Sequence, residues 1–335
     1  MKKLNISIIG TGAIAESAHL PSLLSIPQTN IVSICDLKKD KLEKIGHQFN
    51  ISKKETDYHR VLNDPSVEAV IVSTNAPMHE KIVLDSLKSG KHVFVEKPIT
   101  TSIEAAEKIL KLQNETNLSI MVGYQLRFMP NHIKVREYLK QDIVGKIYLG
   151  HIRSETLVIK PEETLLIDYG THFFDLIRWY FEGKKIESVS GTVIYDNEIQ
   201  VGATTTIVFE DNIQTIVEIY WVPKWNWSNV NRTAEFIGEK GKISTQMSIP
   251  AIKLWRCDSF RDKILGEKNF TPKEVSNVYM SAGDIAYRKQ LEVFVDCILN
   301  NKPVPTNAYD GLIALKIAQA SLQSHQEKKV ITNIE

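Results

Sequence analysis

Asn5-Ile6-Ser7-Ile8-Ile9-Gly10-Thr11-Gly12-Ala13-Ile14-Ala15 is a short apolar and β-branched run that stops at two glycines one residue apart. A second apolar run, Ile31 to Cys35, stops at Asp36. The order reads strand, glycine turn, helix, strand, acid.

Each residue of that order has a physical use. Gly10 permits a tight turn out of the strand, Gly12 leaves the backbone bare for a pyrophosphate, and Ala15 lets the helix lie close on the strand. The first N–H groups of the helix face the phosphates, where the helix dipole favours negative charge. Asp36 falls 21 residues after Ala15, near the roughly 20 expected of an acid that binds the adenosine ribose. A carboxylate there repels a 2′-phosphate, so NAD(H) is favoured, while Lys38 and Lys39 keep NADP(H) open.

The chain has 335 residues, more than a single core of roughly 250 to 300 usually holds, so two domains are expected. Hydrophobic residues make up 43% and charged residues 24%, with a net charge of +1, a balance that points to neither nucleic acid nor membrane. The three cysteines, Cys35, Cys257 and Cys297, lack metal-type spacing and fit a reducing cytoplasm. The start Met1-Lys2-Lys3-Leu4-Asn5 runs straight into the first strand and leaves no room for a signal peptide, and no apolar stretch approaches the roughly 18 residues that span a bilayer.

Strands and helices alternate up to Val122, as in a doubly wound α/β fold. Ala13 to Ser25 is expected to be helical with a break near His19 and Leu20, because Pro21 has no amide proton. His19 either approaches the cofactor or packs. Helices are expected over Lys38 to Phe49, His79 to Ser89 and Ser102 to Gln113, the last with Thr101 and Glu104 in capping-box spacing. Strands are expected over Val67 to Ser73, Lys91 to Val95 and Leu118 to Val122. Beyond Gly123 the pattern changes. Helices over Ile133 to Lys140 and Thr171 to Phe181 and a strand over Tyr148 to Val158 precede a region of consecutive strands from Ile186 to Trp255, which implies a mainly antiparallel open sheet. Helices return over Ile285 to Asn300 and Asp310 to His325. The expected division is 1–122 for dinucleotide binding and 123–335 for substrate binding and oligomerisation, with the last helices able to pack back on the first domain. Tyr220, Trp221, Trp225 and Trp227 fit either core plus loop or a subunit interface.

Two places carry candidate chemistry. Lys97 follows the end of a central strand, where its ammonium can hydrogen-bond a substrate oxygen; a snorkelling surface lysine fits the same position. Asp168-Tyr169-Gly170-Thr171-His172-Phe173-Phe174-Asp175 puts an imidazole within a helical turn of two carboxylates, an arrangement suited to a general base. A capping aspartate and a packed histidine are the alternative. No third ligand suggests a metal.

Gly10 to Ala15, Asp36, Thr74 to His79, Glu96-Lys97-Pro98, Arg127-Phe128-Met129-Pro130 and Asp168 to Asp175 together resemble the motifs of the glucose-fructose oxidoreductase / inositol dehydrogenase / rhizopine catabolism (Gfo/Idh/MocA) family. The resemblance spans almost the whole chain. It implies a Rossmann-type domain followed by an α+β domain on a large open sheet, often used to form homodimers or homotetramers. It also implies Lys97, Asp168 and His172 as the catalytic set. The cofactor contacts are then Gly10, Thr11, Gly12, Ala13, Ile14, Asp36, Ser73, Thr74, Asn75, His79, Glu96, Lys97 and Gln125, and Arg127, Arg153 and Tyr169 are candidates for substrate binding. One segment departs from the family: Arg153 to Ile167 is short, has no tryptophan or glycine, and offers Lys160, Glu162 and Glu163 instead.

The activity implied is NAD(P)-dependent interconversion of a secondary alcohol and a ketone on a sugar, cyclitol or related polyol. An NAD-dependent glycosidase and a non-catalytic dinucleotide-binding sensor are the alternatives from other classes.

Overall fold

The computed structural model describes residues 2–157, 164–222, 231–246, 252–256 and 282–335. Lys160, Glu162, Glu163, Trp225, Trp227 and Cys257, singled out above, lie outside the described residues. The chain divides into two compact units, Met1–Gln125 with Tyr287–Leu312, and Leu126–Ala286 with Ile313–Glu335.

The first unit is built on six parallel strands: β1 (Leu4–Ile9), β2 (Thr29–Cys35), β3 (Lys54–Glu55), β4 (Ala69–Val72), β5 (His92–Val95) and β6 (Ile120–Val122). Their order is β3-β2-β1-β4-β5-β6. The order reverses between β1 and β4, which opens the crevice where α/β sheets bind ligands. Every residue of β4 is fully buried, as expected where helices cover both faces. Those helices are α1 (Leu20–Ser25), α2 (Lys39–Gln48), α3 (Tyr58–Leu62), α4 (His79–Lys88) and α5 (Ile103–Asn114). The cap of α5 is Ser102, whose hydroxyl accepts from Ala105 N at 3.2 Å, one residue later than the spacing of Thr101 and Glu104 suggested. The expected break near His19 is a change of helix type. A π-helical turn, Ala15–His19, runs directly into α1, and Leu20 N donates to Ala15 O. The longer loop of backbone absorbs the donor that Pro21 lacks.

The second unit contains α6 (Pro130–Lys140), β7 (Ile147–Thr156), α7 (Thr171–Tyr180), β8 (Ile186–Asp196), β9 (Ile199–Phe209), β10 (Ile213–Trp221), β11 (Arg232–Gly238), β12 (Gly241–Gln246) and β13 (Ile252–Arg256). The seven strands form one sheet in the order β13-β12-β11-β7-β10-β9-β8. All neighbours are antiparallel except β7 and β10, which run parallel from Leu149↔Gln214 to Thr156↔Trp221. The sheet is therefore mixed. The β8-β9-β10 meander returns to β7 after the α7 crossover and reaches it in the same direction. The chain closes with α8 (Ala282–Leu299) and α9 (Ala308–Glu327). Within this unit α9 covers one face of the sheet, where Thr205 Oγ1 and Ser321 Oγ lie 2.7 Å apart.

Two buried polar contacts secure α6 and α7. Arg127 pairs with Asp175 through Nε to Oδ2 at 2.8 Å and through Nη2 to Oδ1, and both side chains are almost wholly buried. His132 meets the hydroxyl of Tyr180 through Nδ1, and burial pushes its imidazole down to about 3.

Breaking the Arg127–Asp175 pair strands a charge in the core, so Arg127→Met should cost about 3–5 kcal/mol, whereas adding Asp175→Leu should recover part of it. Urea midpoints of the single and double variants measure this. His132 is neutral in the fold and titrates near 6.5 when unfolded. Its contribution is therefore complete above pH 6.5 and is lost as pH falls toward about 3, by about 1.4 kcal/mol per pH unit. His132→Gln should flatten the decline of stability between pH 6.5 and 5 by that slope.

Candidate functional site

β1 ends at Gly10, which adopts φ +94. A Cβ there would sit 2.5 Å from Ser73 O, so only glycine lets the ends of β1 and β4 approach this closely. At Gly12 a Cβ would meet only Ser73 O, at 3.8 Å, so the backbone faces open space. The helix begins beside it, with Glu16 N donating to Gly12 O at 3.0 Å. The amides at the start of that helix, at Ala13 and Ile14, have no preceding turn to bond.

Asp36, at the end of β2, closes the turn from the other side. Its Oδ2 accepts from Thr11 N at 2.8 Å and Thr11 Oγ1 at 2.9 Å, and its Oδ1 accepts from Lys38 N at 3.0 Å. Partial burial works to raise this carboxyl, but the bonds from Lys38 and Thr11 outweigh it and hold it below the ordinary aspartate value. A cavity of about 740 Å³ lies alongside, and Gly10, Gly12, Asp36, Ser73, Thr74 and Asn75 share its wall. The bare glycine backbone, the helix N-terminus and the anchored acid fit the phosphates and ribose of a dinucleotide.

The remaining expected contacts of this unit are arranged behind that wall. Thr11 is fully buried and faces Asp36. His79 is also fully buried, its Nδ1 2.8 Å from Pro98 O and its Nε2 3.1 Å from Thr74 O. It braces the turns after β4 and β5. Glu96, at the end of β5, lies 2.9 Å from His19 Nε2 and accepts from Lys97 N at 3.2 Å. Burial alone would raise the Glu96 carboxyl, but His19 and Lys97 turn the net shift downward. His19 is thus a packed residue, edge-on to Phe94 with centroids 5.5 Å apart. Lys97, half-buried, leaves the strand end at a cis peptide to Pro98. Gln125 begins the 3-10 turn that follows β6.

In the second unit a π-helical turn, Leu166–Gly170, carries Asp168 and passes into α7, which carries His172. Thr164 supplies the cap: its Oγ1 accepts from Ile167 N at 3.2 Å and its carbonyl from Asp168 N at 2.9 Å. Asp168 is therefore within the helical turns and is not their cap. The hydroxyl of Tyr169 lies 2.9 Å from Ser154 Oγ and donates to Glu155 O at 3.2 Å, tying this turn to β7.

Two expected substrate contacts have other partners. Arg127 carries the buried pair with Asp175 described above. Arg153 follows the pleat: since Ser154 faces Tyr169, its neighbour points to the opposite face of the sheet. There it donates to Glu155 Oε1 at 3.0 Å and lies 5.8 Å above the ring of Tyr220.

The cavity wall also includes Met78, from the Thr74 to His79 motif, and Thr56, Asp57, Tyr58, His59 and Lys81, which no sequence motif marked. β3 has two residues and α3 five, too short for periodicity to register. The usable signal was Asp57, whose side chain accepts from His59 N at 2.9 Å as a helix cap.

Residues 4–124 match the oxidoreductase family with an NAD-binding Rossmann fold, and residues 159–332 match the C-terminal alpha/beta domain of the same family. Myo-inositol 2-dehydrogenase of Thermotoga maritima is 23% identical over 98% of both chains. Scyllo-inositol 2-dehydrogenase (NAD(+)) of Bacillus subtilis is 26% identical over 96% of this chain and 94% of that one. Levoglucosan dehydrogenase, solved in complex with NADH and levoglucosan, superposes with a TM-score of 0.88 at 17% identity over 99% of both chains. Both halves of the sequence thus lead to one assignment, and the chain belongs to the Gfo/Idh/MocA oxidoreductases.

Proposed function

We propose that the protein interconverts a secondary alcohol and a ketone on a cyclitol, sugar or related polyol with NAD, using Lys97, Asp168 and His172 as its catalytic groups. The observation that carries this reading is the glycine turn closed by Asp36 on the wall of a cavity of about 740 Å³. Inositol and levoglucosan dehydrogenases among the similar proteins support the substrate class.

NAD, when bound, accepts or supplies the hydride; the protein contributes positioning and electrostatics. The ammonium of Lys97 donates a hydrogen bond to the substrate oxygen, stabilising the alkoxide during oxidation and polarising the carbonyl during reduction. The imidazole of His172 takes or returns the hydroxyl proton. Asp168 orients that ring or holds a neighbouring substrate hydroxyl.

The reading extends to a homo-oligomer in a reducing cytoplasm, in keeping with the free, buried thiols of Cys35 and Cys297. The support for assembly is the sheet face turned away from α7 and α9. Pairing puts Ile194, Gly202, Tyr220 and Glu155 in one row across it, with Ile216 on the same face, and Ile194 is 49% exposed. A second copy of this face would bury the side chains of Ile194, Ile216 and Tyr220, which this chain leaves exposed or half-buried.

Polyols offered with NAD should raise absorbance from NADH, and Lys97→Ala should lower turnover on any substrate found by at least about 100-fold with an unchanged circular dichroism spectrum. A leaving group released without NADH would favour a hydrolase. Ile216→Lys should shift the mass in size-exclusion chromatography with light scattering from a dimer to a monomer or from a tetramer to a dimer; an unchanged mass would remove the sheet face from the interface.

A further inference from the structure

We propose that Thr11 is a positioning residue for cofactor choice: its hydroxyl fixes the Asp36 carboxylate and thereby enforces discrimination against a 2′-phosphate. The inference rests on the reading that the adenosine ribose lies against Asp36.

Any residue but proline between the two glycines offers Asp36 a backbone N–H. Thr11 adds a second donor, Oγ1, to the same carboxylate oxygen at 2.9 Å. The side chain is fully buried, so this hydroxyl does not exchange its partner for bulk water. Lys38 N holds the other oxygen at 3.0 Å, and together these donors define the rotation of the carboxylate.

The surroundings show what the lock prevents. Lys38 and Lys41 line the same cavity, and Lys41 Nζ is 3.9 Å from Asp36 Oδ2. With the carboxylate turned aside, two ammonium groups would be left to meet a phosphate dianion. With it held, the phosphate meets a fixed negative charge first. Discrimination therefore depends on the orientation of Asp36 as well as its presence, and Thr11 sets that orientation.

The test measures dissociation constants of NADH and NADPH by fluorescence titration without any polyol, on the full chain and on Thr11→Val, Thr11→Ala, Thr11→Ser and Asp36→Ala. A hydrogen bond to a charged group corresponds to about tenfold or more in an equilibrium. Thr11→Val should narrow the preference for NADH by about that factor, as should Thr11→Ala, which supplies the result if the valine variant fails to fold. Thr11→Ser should keep the parent ratio and Asp36→Ala should abolish it. If Asp36→Ala abolishes the preference while Thr11→Val and Thr11→Ala leave it intact, the role of Thr11 is overturned alone. Loss of the preference in Thr11→Ser would also overturn it, because the hydroxyl would not be the cause. An unchanged ratio in Asp36→Ala would overturn the ribose placement and this inference with it.

Discussion

One buried carboxylate organises the first unit. Glu96 is 8% exposed, and an ionised group removed from water to that degree needs partners around it. His19 comes from the glycine helix, the amide of Lys97 follows β5, and Gly123 follows β6; a Cβ on Gly123 would sit 3.2 Å from the carboxylate. The glycine helix and the backbone after β5 are therefore bonded to one acid, and the turn after β6 packs closely against it. The π-helical turn at Ala15–His19 fits this arrangement: it shifts the phase of the helix before α1 and turns His19 toward Glu96. The lysine proposed for chemistry then leaves a strand end whose backbone is already anchored.

The amino-terminal fold was legible because its signals are local. The apolar run before Gly10, the acid after β2 and the alternation of strand and helix are all short-range patterns, and their positions agree with the strands found. The elements that escaped have weak local signals. β12, inside the expected run of strands, has bounds that no local pattern marks, because Ile243 is its one strongly apolar residue and pairing with β11 and β13 defines it. The parallel contact of β7 with β10 joins residues more than 60 positions apart, and no window of sequence carries that information. At α5, Thr101 and Ser102 are both good caps, and tertiary context chose the second.

The site was legible by residue type more than by role. Asp36 and the glycines stand on the cavity wall as the spacing implied. Thr11, His79 and Glu96 stand behind it, because polar side chains in a motif can serve the backbone that shapes a site as well as the ligand. The two arginines show the same limit. Arg127 answers a buried aspartate 48 positions away, and the face taken by Arg153 follows from strand register, which a one-residue slip would reverse. The helix that follows the glycine turn contains a π-helical turn and Asp168 lies in another, a form that recurs at functional sites and has no simple sequence signature.

The central proposal is that Lys97 and His172 act on the same hydroxyl of a polyol. A crystal structure with NAD and a polyol that the protein oxidises measures this directly. Lys97 Nζ and a ring nitrogen of His172 should each lie about 2.6–3.2 Å from one substrate oxygen. Either group bound to a different atom, or directed away from the polyol, would contradict it.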